Sequence, residues 1–211
     1  MITKNKIDFM SYLDELYPDA MCELNYHKDY ELLIAVVLSA QCTDKRVNMV
    51  TQELFSEYSL EEISKLDLKV LENIIRPVGT FTRKAMYVKE IAHSLLKDYE
   101  GIVPNNREYL ESLPGVGHKT CNVVLSNLYQ EPCFAVDTHV SRVSKRLKYT
   151  KETDNVMIIE KKLMKAFPKD KWSKMHHQMV LFGRYQCMSL RPKCESCKLK
   201  EQCRYFHSLK S

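Results

Sequence analysis

Two stretches of this sequence carry residue types and spacings that can do chemistry. One is Leu113-Pro114-Gly115-Val116-Gly117-His118-Lys119-Thr120, where two of the chain's five glycines sit one residue apart and a histidine and a lysine follow at once. Pro114 fixes the exit from a preceding helix, and glycine permits left-handed backbone, so the segment predicts a tight turn in which both glycines use that freedom. Such a turn leaves successive N–H groups at the start of the next helix in need of partners. There they can bind a phosphate oxygen, with help from the helix dipole. The same residues also suit an ordinary connection between antiparallel helices, with Lys119 as a plain phosphate contact. The second stretch is Cys187-x6-Cys194-x2-Cys197-x5-Cys203. Four thiolates on one short loop can ligate Zn²⁺ or an iron–sulfur cluster. Structural zinc usually shows two C-x2–4-C pairs, and this loop holds one.

The elements that must position these residues read as helices. Ile7, Met10, Leu13 and Leu16 recur at three-residue steps and predict a helix with that buried face, stopped by Pro18. Residues 32–40 are apolar nearly all round, the pattern of a helix inside the fold. Asp44 is placed to cap a helix over 45–55, Asp67 to cap one ending at Ile75 before Arg76-Pro77, and Thr82 to open one through Ala85, Val88, Ile91, Ala92 and Leu95. A short helix over 107–112 and an amphipathic one containing Val123, Val124, Leu125 and Leu128 flank the glycine turn. Another begins at Asp137 or Thr138, and further helical stretches cover 158–167 and 176–184. Five glycines and no Asn-Gly or Asp-Gly pair argue against a β-sandwich or barrel. From Cys187 onward the segment has too few apolar residues for a core, so something besides hydrophobic burial must order it.

Composition bounds the rest. With 45% hydrophobic and 28% charged residues the chain is not intrinsically disordered. Its net charge of +5 modestly favours an acidic partner such as nucleic acid. The longest apolar run, residues 32–38, falls far short of the ~18–20 residues that cross a bilayer. Met1-Ile2-Thr3-Lys4-Asn5-Lys6 is basic but lacks the apolar stretch of a secretory signal, so the expected location is cytoplasmic. Eight cysteines in a chain of 211 residues, large enough for a core without staples, then favour a metal loop over disulfides. Scattered Cys22, Cys42, Cys121 and Cys133 suit small buried or half-buried positions.

The hairpin segment resembles the helix-hairpin-helix of the endonuclease III family of DNA-repair glycosylases. So do Ala135-Val136-Asp137-Thr138-His139-Val140, Glu31-Leu32-Leu33-Ile34-Ala35, Leu38-Ser39-Ala40-Gln41, His176-His177, Gly183-Arg184-Tyr185 and all three intervals of the cysteine loop. The resemblance covers nearly the whole chain in the family's order. It implies an all-α fold: a six-helix barrel lobe over 23–132 containing the hairpin (107–128), and a lobe joining 1–22 to 133–211 around a [4Fe–4S] loop (187–203). Cys187, Cys194, Cys197 and Cys203 would hold the cluster, which serves structure rather than bond cleavage.

Lys119 resembles the family's catalytic lysine and Asp137 its catalytic aspartate. An amine attacking C1′ of a nucleoside displaces the base and leaves a Schiff base, which acidifies the next sugar carbon and permits elimination of the 3′ phosphate. At the ordinary lysine pKa only about one amine in a thousand is neutral at pH 7.4. The helix end supplies only ~0.3–1 kcal/mol toward changing that, so seclusion from water must do the rest. A fixed carboxylate at Asp137 stabilises positive charge growing at C1′, and capping a helix keeps it ionised. Gln41 matches the residue that fills the gap left by an extruded nucleotide. Phe81, after Thr80, is the apolar candidate where the family frequently has a leucine wedge. Gly115, Val116, Gly117 and His118 would meet a phosphate, as would Arg191, Lys193, Lys198, Lys200 and Arg204 of the cysteine loop. Ser39, Asp44, Glu111 and His139 match polar positions around the site, Glu111 as a proton carrier. The implied function is a monomeric glycosylase and abasic-site lyase acting on duplex DNA with oxidised pyrimidines. A uracil, thymine or adenine mismatch glycosylase, and a non-catalytic DNA-binding iron–sulfur protein, are the alternatives; adenine-specific members usually lack the hairpin lysine.

Overall fold

The computed structural model describes residues 7–209, so the basic stretch over residues 1–6, on which the expectation about an export signal rests, lies outside the described residues. Among the described residues there are twelve α-helices and no strand. In chain order these are α1 (Phe9–Leu16), α2 (Asp29–Leu38), α3 (Asp44–Glu57), α4 (Leu60–Lys65), α5 (Leu68–Ile75) and α6 (Phe81–Tyr99). Next come α7 (Arg107–Ser112), α8 (His118–Tyr129), α9 (Thr138–Arg146), α10 (Val156–Ala166), α11 (Trp172–Tyr185) and α12 (Arg204–Ser208). None of them is long and apolar enough to cross a membrane. The chain divides into two compact units, one over Glu23–Glu131 and the other joining Met1–Cys22 to Pro132–Ser211.

The unit over Glu23–Glu131 is built around α2. Every residue from Tyr30 to Leu38 is buried, so α3, α6 and α8 can all pack against it. Each large aliphatic side chain hidden in this way contributes about 1.5–3 kcal/mol. Glu31, only 5% exposed, is the polar exception on this helix. Its carboxylate accepts the amides of His27 (2.7 Å) and Lys28 (3.2 Å), which the helix start leaves in need of acceptors. Asp67 caps α5 by accepting from the Lys69 amide, and α6 buries Ala85, Val88, Ile91, Ala92 and Leu95 as its periodicity predicts. Two expected caps fall elsewhere. Asp44 is the first residue of α3, behind Thr43, rather than its cap. Helix α6 starts at Phe81 behind Thr80, not at Thr82. In both cases the preceding turn bends the chain one or two residues earlier than a polar side chain alone suggests, through Gln41 (φ 57°) and Thr80 (φ 45°).

The other unit has its own core: Phe9, Tyr12 and Leu13 of α1 meet Phe134, Val140, Val143, Ile159, Leu163, Phe167, Met179 and Phe182. The buried face of α1 is therefore Phe9-Tyr12-Leu13, whereas Ile7 and Leu16 are each 37% exposed. Aromatic rings at positions 9 and 12 hide more surface than the aliphatic set at 7, 10 and 16 and turn the helix their way. Phe9 and Tyr12 both approach the Phe182 ring nearly edge-on, at centroid distances of 5.9 and 6.1 Å. Leu199 joins this core and Phe206 is also buried, so the cysteine segment is held partly by hydrophobic burial, contrary to its sparse apolar content.

Candidate active site and cysteine centre

The hairpin is α7, a five-residue turn and α8. Asn106 caps α7 by accepting the Tyr109 amide at 3.1 Å. The turn then departs from the symmetric use of its two glycines. Gly115 is left-handed (φ +80°), and a Cβ there would lie 2.6 Å from the Tyr87 ring and 3.2 Å from Val37. Gly117 has extended backbone (φ −93°, ψ 176°), which any residue adopts, and open space where its Cβ would be. Gly115 is thus required by the fold, while Gly117 leaves the mouth of α8 uncovered. Between them Val116 is buried, and its amide bonds the Leu113 carbonyl at 3.1 Å. Gly117 caps α8 without a side-chain hydrogen bond, and no Cβ stands over the start of that helix.

Lys119 stands at the second position of α8 and is half-buried. His118 precedes it, its Nδ1 3.2 Å from the Glu111 carboxylate, which also takes a hydrogen bond from Arg107 at 3.1 Å. Glu111 therefore sits between a guanidinium and an imidazole beside the hairpin. On the loop after α2, the Ser39 hydroxyl donates to the Val36 carbonyl at 2.7 Å, within its own helix end, and Gln41 is exposed with left-handed backbone. Asp44 is half-buried in the first turn of α3. Thr80 is exposed, whereas Phe81 is half-buried with the Arg76 guanidinium 5.5 Å from its ring centroid.

In the other unit Asp137 caps α9, accepting the Val140 amide at 2.8 Å, and is half-buried. Ala135, two residues earlier, accepts from the buried His176 ring at 2.7 Å, which anchors the approach to Asp137 onto α11. Helices α9 and α11 come very close at Gly183, where a Cβ would lie 2.7 Å from that of His139. Arg142 stitches this contact, donating to the Gly183 carbonyl at 2.7 Å and the Cys187 carbonyl at 3.1 Å, with the His139 ring nitrogen 3.1 Å away.

Cys187, Cys194, Cys197 and Cys203 line one cavity together with Leu147, Phe182, Tyr205 and Phe206, with about 340 Å³ of empty volume partly open to solvent. Burial raises the thiol pKa of Cys187, Cys194 and Cys197, and the neighbouring cysteines push the same way. Among the described residues no group of three or more His, Cys, Asp or Glu side chains is arranged to hold a single metal ion. Arg146 wraps the loop's start, donating to the Cys187 thiol (3.3 Å), the Cys187 carbonyl (3.3 Å) and the Met188 carbonyl (2.8 Å). Its guanidinium lies 3.7 Å from the Tyr205 ring centroid. Of the five cations expected to face phosphates, Lys198 is paired with Glu15 and Lys200 with Glu195, while Arg191, Lys193 and Arg204 are exposed. Arg142, Arg146 and a buried lysine, Lys84, were not singled out by sequence reasoning. The signal for Lys84 was its place four residues before Val88 on the apolar stripe of α6.

Two helices joined by a glycine turn, the second opening behind a glycine cap that makes no side-chain hydrogen bond, make this a helix-hairpin-helix protein. It belongs to the HhH-GPD superfamily of base excision DNA repair proteins, whose family model matches residues 34–169, and within it to the endonuclease III family. It is 42% identical to endonuclease III of Bacillus subtilis over 206 residues, covering 97% of this chain and 94% of that protein. Two solved structures are similar throughout. One is a trapped endonuclease III–DNA covalent intermediate in an estranged-adenine complex (TM-score 0.92, 45% identity, 96% of this chain and 95% of the other). The other is a non-covalent endonuclease III–DNA complex (TM-score 0.92, 46% identity, 95% and 94%).

Proposed function

We propose that this protein excises oxidised pyrimidines from duplex DNA and cleaves the strand at the resulting abasic site. The observation that carries this is Lys119 itself: an amine two residues into a helix whose bare glycine cap can seat a phosphate, in a chain similar end to end to a protein solved as a covalent DNA adduct. The Lys119 amine attacks C1′, and the glycosidic bond breaks as the base leaves with its electron pair and takes up a proton. The C1′–O4′ bond then opens, leaving an iminium between Nζ and C1′. Removal of a C2′ proton expels the 3′ phosphate with the C3′–O3′ electron pair, and water hydrolyses the imine to free the enzyme. Asp137 stabilises positive charge at C1′ as the base departs, and Glu111 carries protons near the hairpin. Gly115, Gly117 and His118 hold a backbone phosphate, Val116 being buried with its amide spent on the Leu113 carbonyl, and Arg191 and Lys193 add further contacts. Gln41 and Phe81 occupy the space that the extruded nucleotide vacates.

The cysteine loop fits a [4Fe–4S] cluster. Four thiol-bearing side chains share one cavity, and each lost proton would be balanced by a polynuclear cation. Cys187, Cys194, Cys197 and Cys203 would hold it. The cluster supplies order to the loop and no step of the cleavage.

Borohydride reduction in the presence of abasic-site duplex is the test. It should give a covalent protein–DNA adduct that Lys119→Ala abolishes. Absence of adduct with the intact protein, or an undiminished one in that variant, would refute the lysine mechanism. A lesion panel read for both base release and strand scission then separates oxidised pyrimidines from uracil, thymine or adenine mismatches.

A further inference from the structure

The Lys84 side chain is 4% exposed, and no step of the proposed reaction uses it. Its ammonium donates three hydrogen bonds, to the carbonyls of Leu38 (2.9 Å), Ala40 (2.8 Å) and Val78 (2.9 Å). An ammonium has three donors, so this one is fully spent on backbone. Leu38 is the last residue of α2 and Val78 the last of the short 3-10 turn before α6. Both are helix ends whose carbonyls need donors and whose dipoles favour a cation. Burial lowers the pKa of Lys84, with the nearby Cys42 thiol opposing that shift.

The residues just beyond these carbonyls give the contact its consequence. One residue past Ala40 is Gln41, exposed at φ 57°; two past Val78 is Thr80, exposed at φ 45°, with Phe81 next. Left-handed backbone at a residue other than glycine costs roughly 1–2 kcal/mol and persists only where its surroundings impose it. One nitrogen thus fixes the two chain segments, 40 positions apart in sequence, that carry Gln41 and Phe81.

We infer that Lys84 is a positioning residue for DNA engagement: its ammonium ties the Ala40–Gln41 turn to the Val78–Phe81 turn, so that both enter an opened duplex as one rigid unit. This rests on the reading of Gln41 and Phe81 as the groups that replace the extruded nucleotide. Rigidity is what such a device needs, because filling a gap in stacked bases with two loosely linked loops would forfeit ordering entropy at each binding event.

The intact protein is tested on a duplex carrying a tetrahydrofuran abasic analogue opposite 2-aminopurine, whose emission rises on unstacking. Wild type should raise the emission. Lys84→Met should weaken duplex binding by about tenfold and blunt that rise, while borohydride trapping on a single-stranded abasic oligonucleotide stays within about twofold of wild type. Lys84→Arg keeps the charge, but its planar fork cannot aim one nitrogen at three carbonyls. It should fold and show the same selective loss at about threefold, which answers the question even if the methionine variant fails to fold. Equal losses on both substrates, or wild-type duplex behaviour in a folded variant, overturn the inference. No emission change with wild type overturns instead the reading of Gln41 and Phe81, and the assignment of Lys84 falls with it.

Discussion

Arg146, in the last turn of α9, donates from one nitrogen to both the thiol sulfur and the carbonyl oxygen of Cys187 while its guanidinium lies on the Tyr205 ring. The helix that opens with Asp137 therefore closes on the first residue of the cysteine loop, within one compact unit. A side chain of this kind works through geometry as well as charge, because its flat fork serves several acceptors and stacks at once. Arg146→Ala should cost about 1.5–3 kcal/mol in equilibrium unfolding. Arg146→Lys should recover less than half of that, since an ammonium cannot both stack and fork. Full recovery by lysine would show that charge alone matters there.

The hairpin glycines make opposite predictions. Gly115→Ala forces a methyl against the Tyr87 ring at 2.6 Å in left-handed backbone, so it should lower stability by roughly 2–4 kcal/mol. Gly117→Ala meets neither obstacle and should shift the melting temperature by no more than about 1 °C. Its methyl would instead fill the open space in front of α8 where a phosphate would seat, so salt-dependent duplex binding should weaken by about tenfold. Thermal melts of both variants, with binding titrations of Gly117→Ala, separate the two roles.

That asymmetry marks where sequence reasoning stops. The pair Gly115-Val116-Gly117 announced a turn, but which glycine needs positive φ depends on Tyr87 and Val37, side chains far away in sequence. Local signals that stand alone were legible: the Asp67 and Asp137 caps, the all-round apolar α2, the stripe of α6 and the hairpin helices on either side of the turn. The face of α1 was misjudged because spacing ranks Ile7 and Leu16 with Leu13, while the rings of Phe9, Tyr12 and Phe182 choose the buried side. Arg142 and Arg146 carry no sequence signal for a related reason, and Lys84 shows only by its place on the apolar stripe of α6. A cation's acceptors here are backbone carbonyls of distant segments, and a carbonyl carries no sequence signature.

Alkaline pH should loosen the hairpin's first helix through Tyr109. Its hydroxyl donates to Asp98 at 3.2 Å, and its pKa is pushed up to about 12 by burial first and then by the Asp98 charge. A raised value in the folded state means that stability is fully present below the ordinary value of 10.0 and is lost as pH climbs toward about 12. Tyr109→Phe cannot ionise. At about pH 8 wild type should melt roughly 2 °C above it, for the hydrogen bond it keeps. That gap should close as the pH passes through the window. A gap that stays constant to the top of the range would show that Asp98 does not hold the phenol neutral.

Asp137 is both a helix cap and the proposed stabiliser of charge at C1′, and the two roles come apart in a pair of variants. Asparagine caps a helix about as well as aspartate, so Asp137→Asn should keep the Val140 amide satisfied and change stability by only a few tenths of a kcal/mol. It removes the negative charge, so base release should fall by about a hundredfold or more while duplex binding is retained. Asp137→Ala removes the cap as well and should cost about 1 kcal/mol of stability on top of the same kinetic loss. Single-turnover base release and thermal unfolding, measured on both proteins, read the two effects separately. If Asp137→Asn turns over like wild type, Asp137 is a cap and nothing more, and another group must balance the charge at C1′.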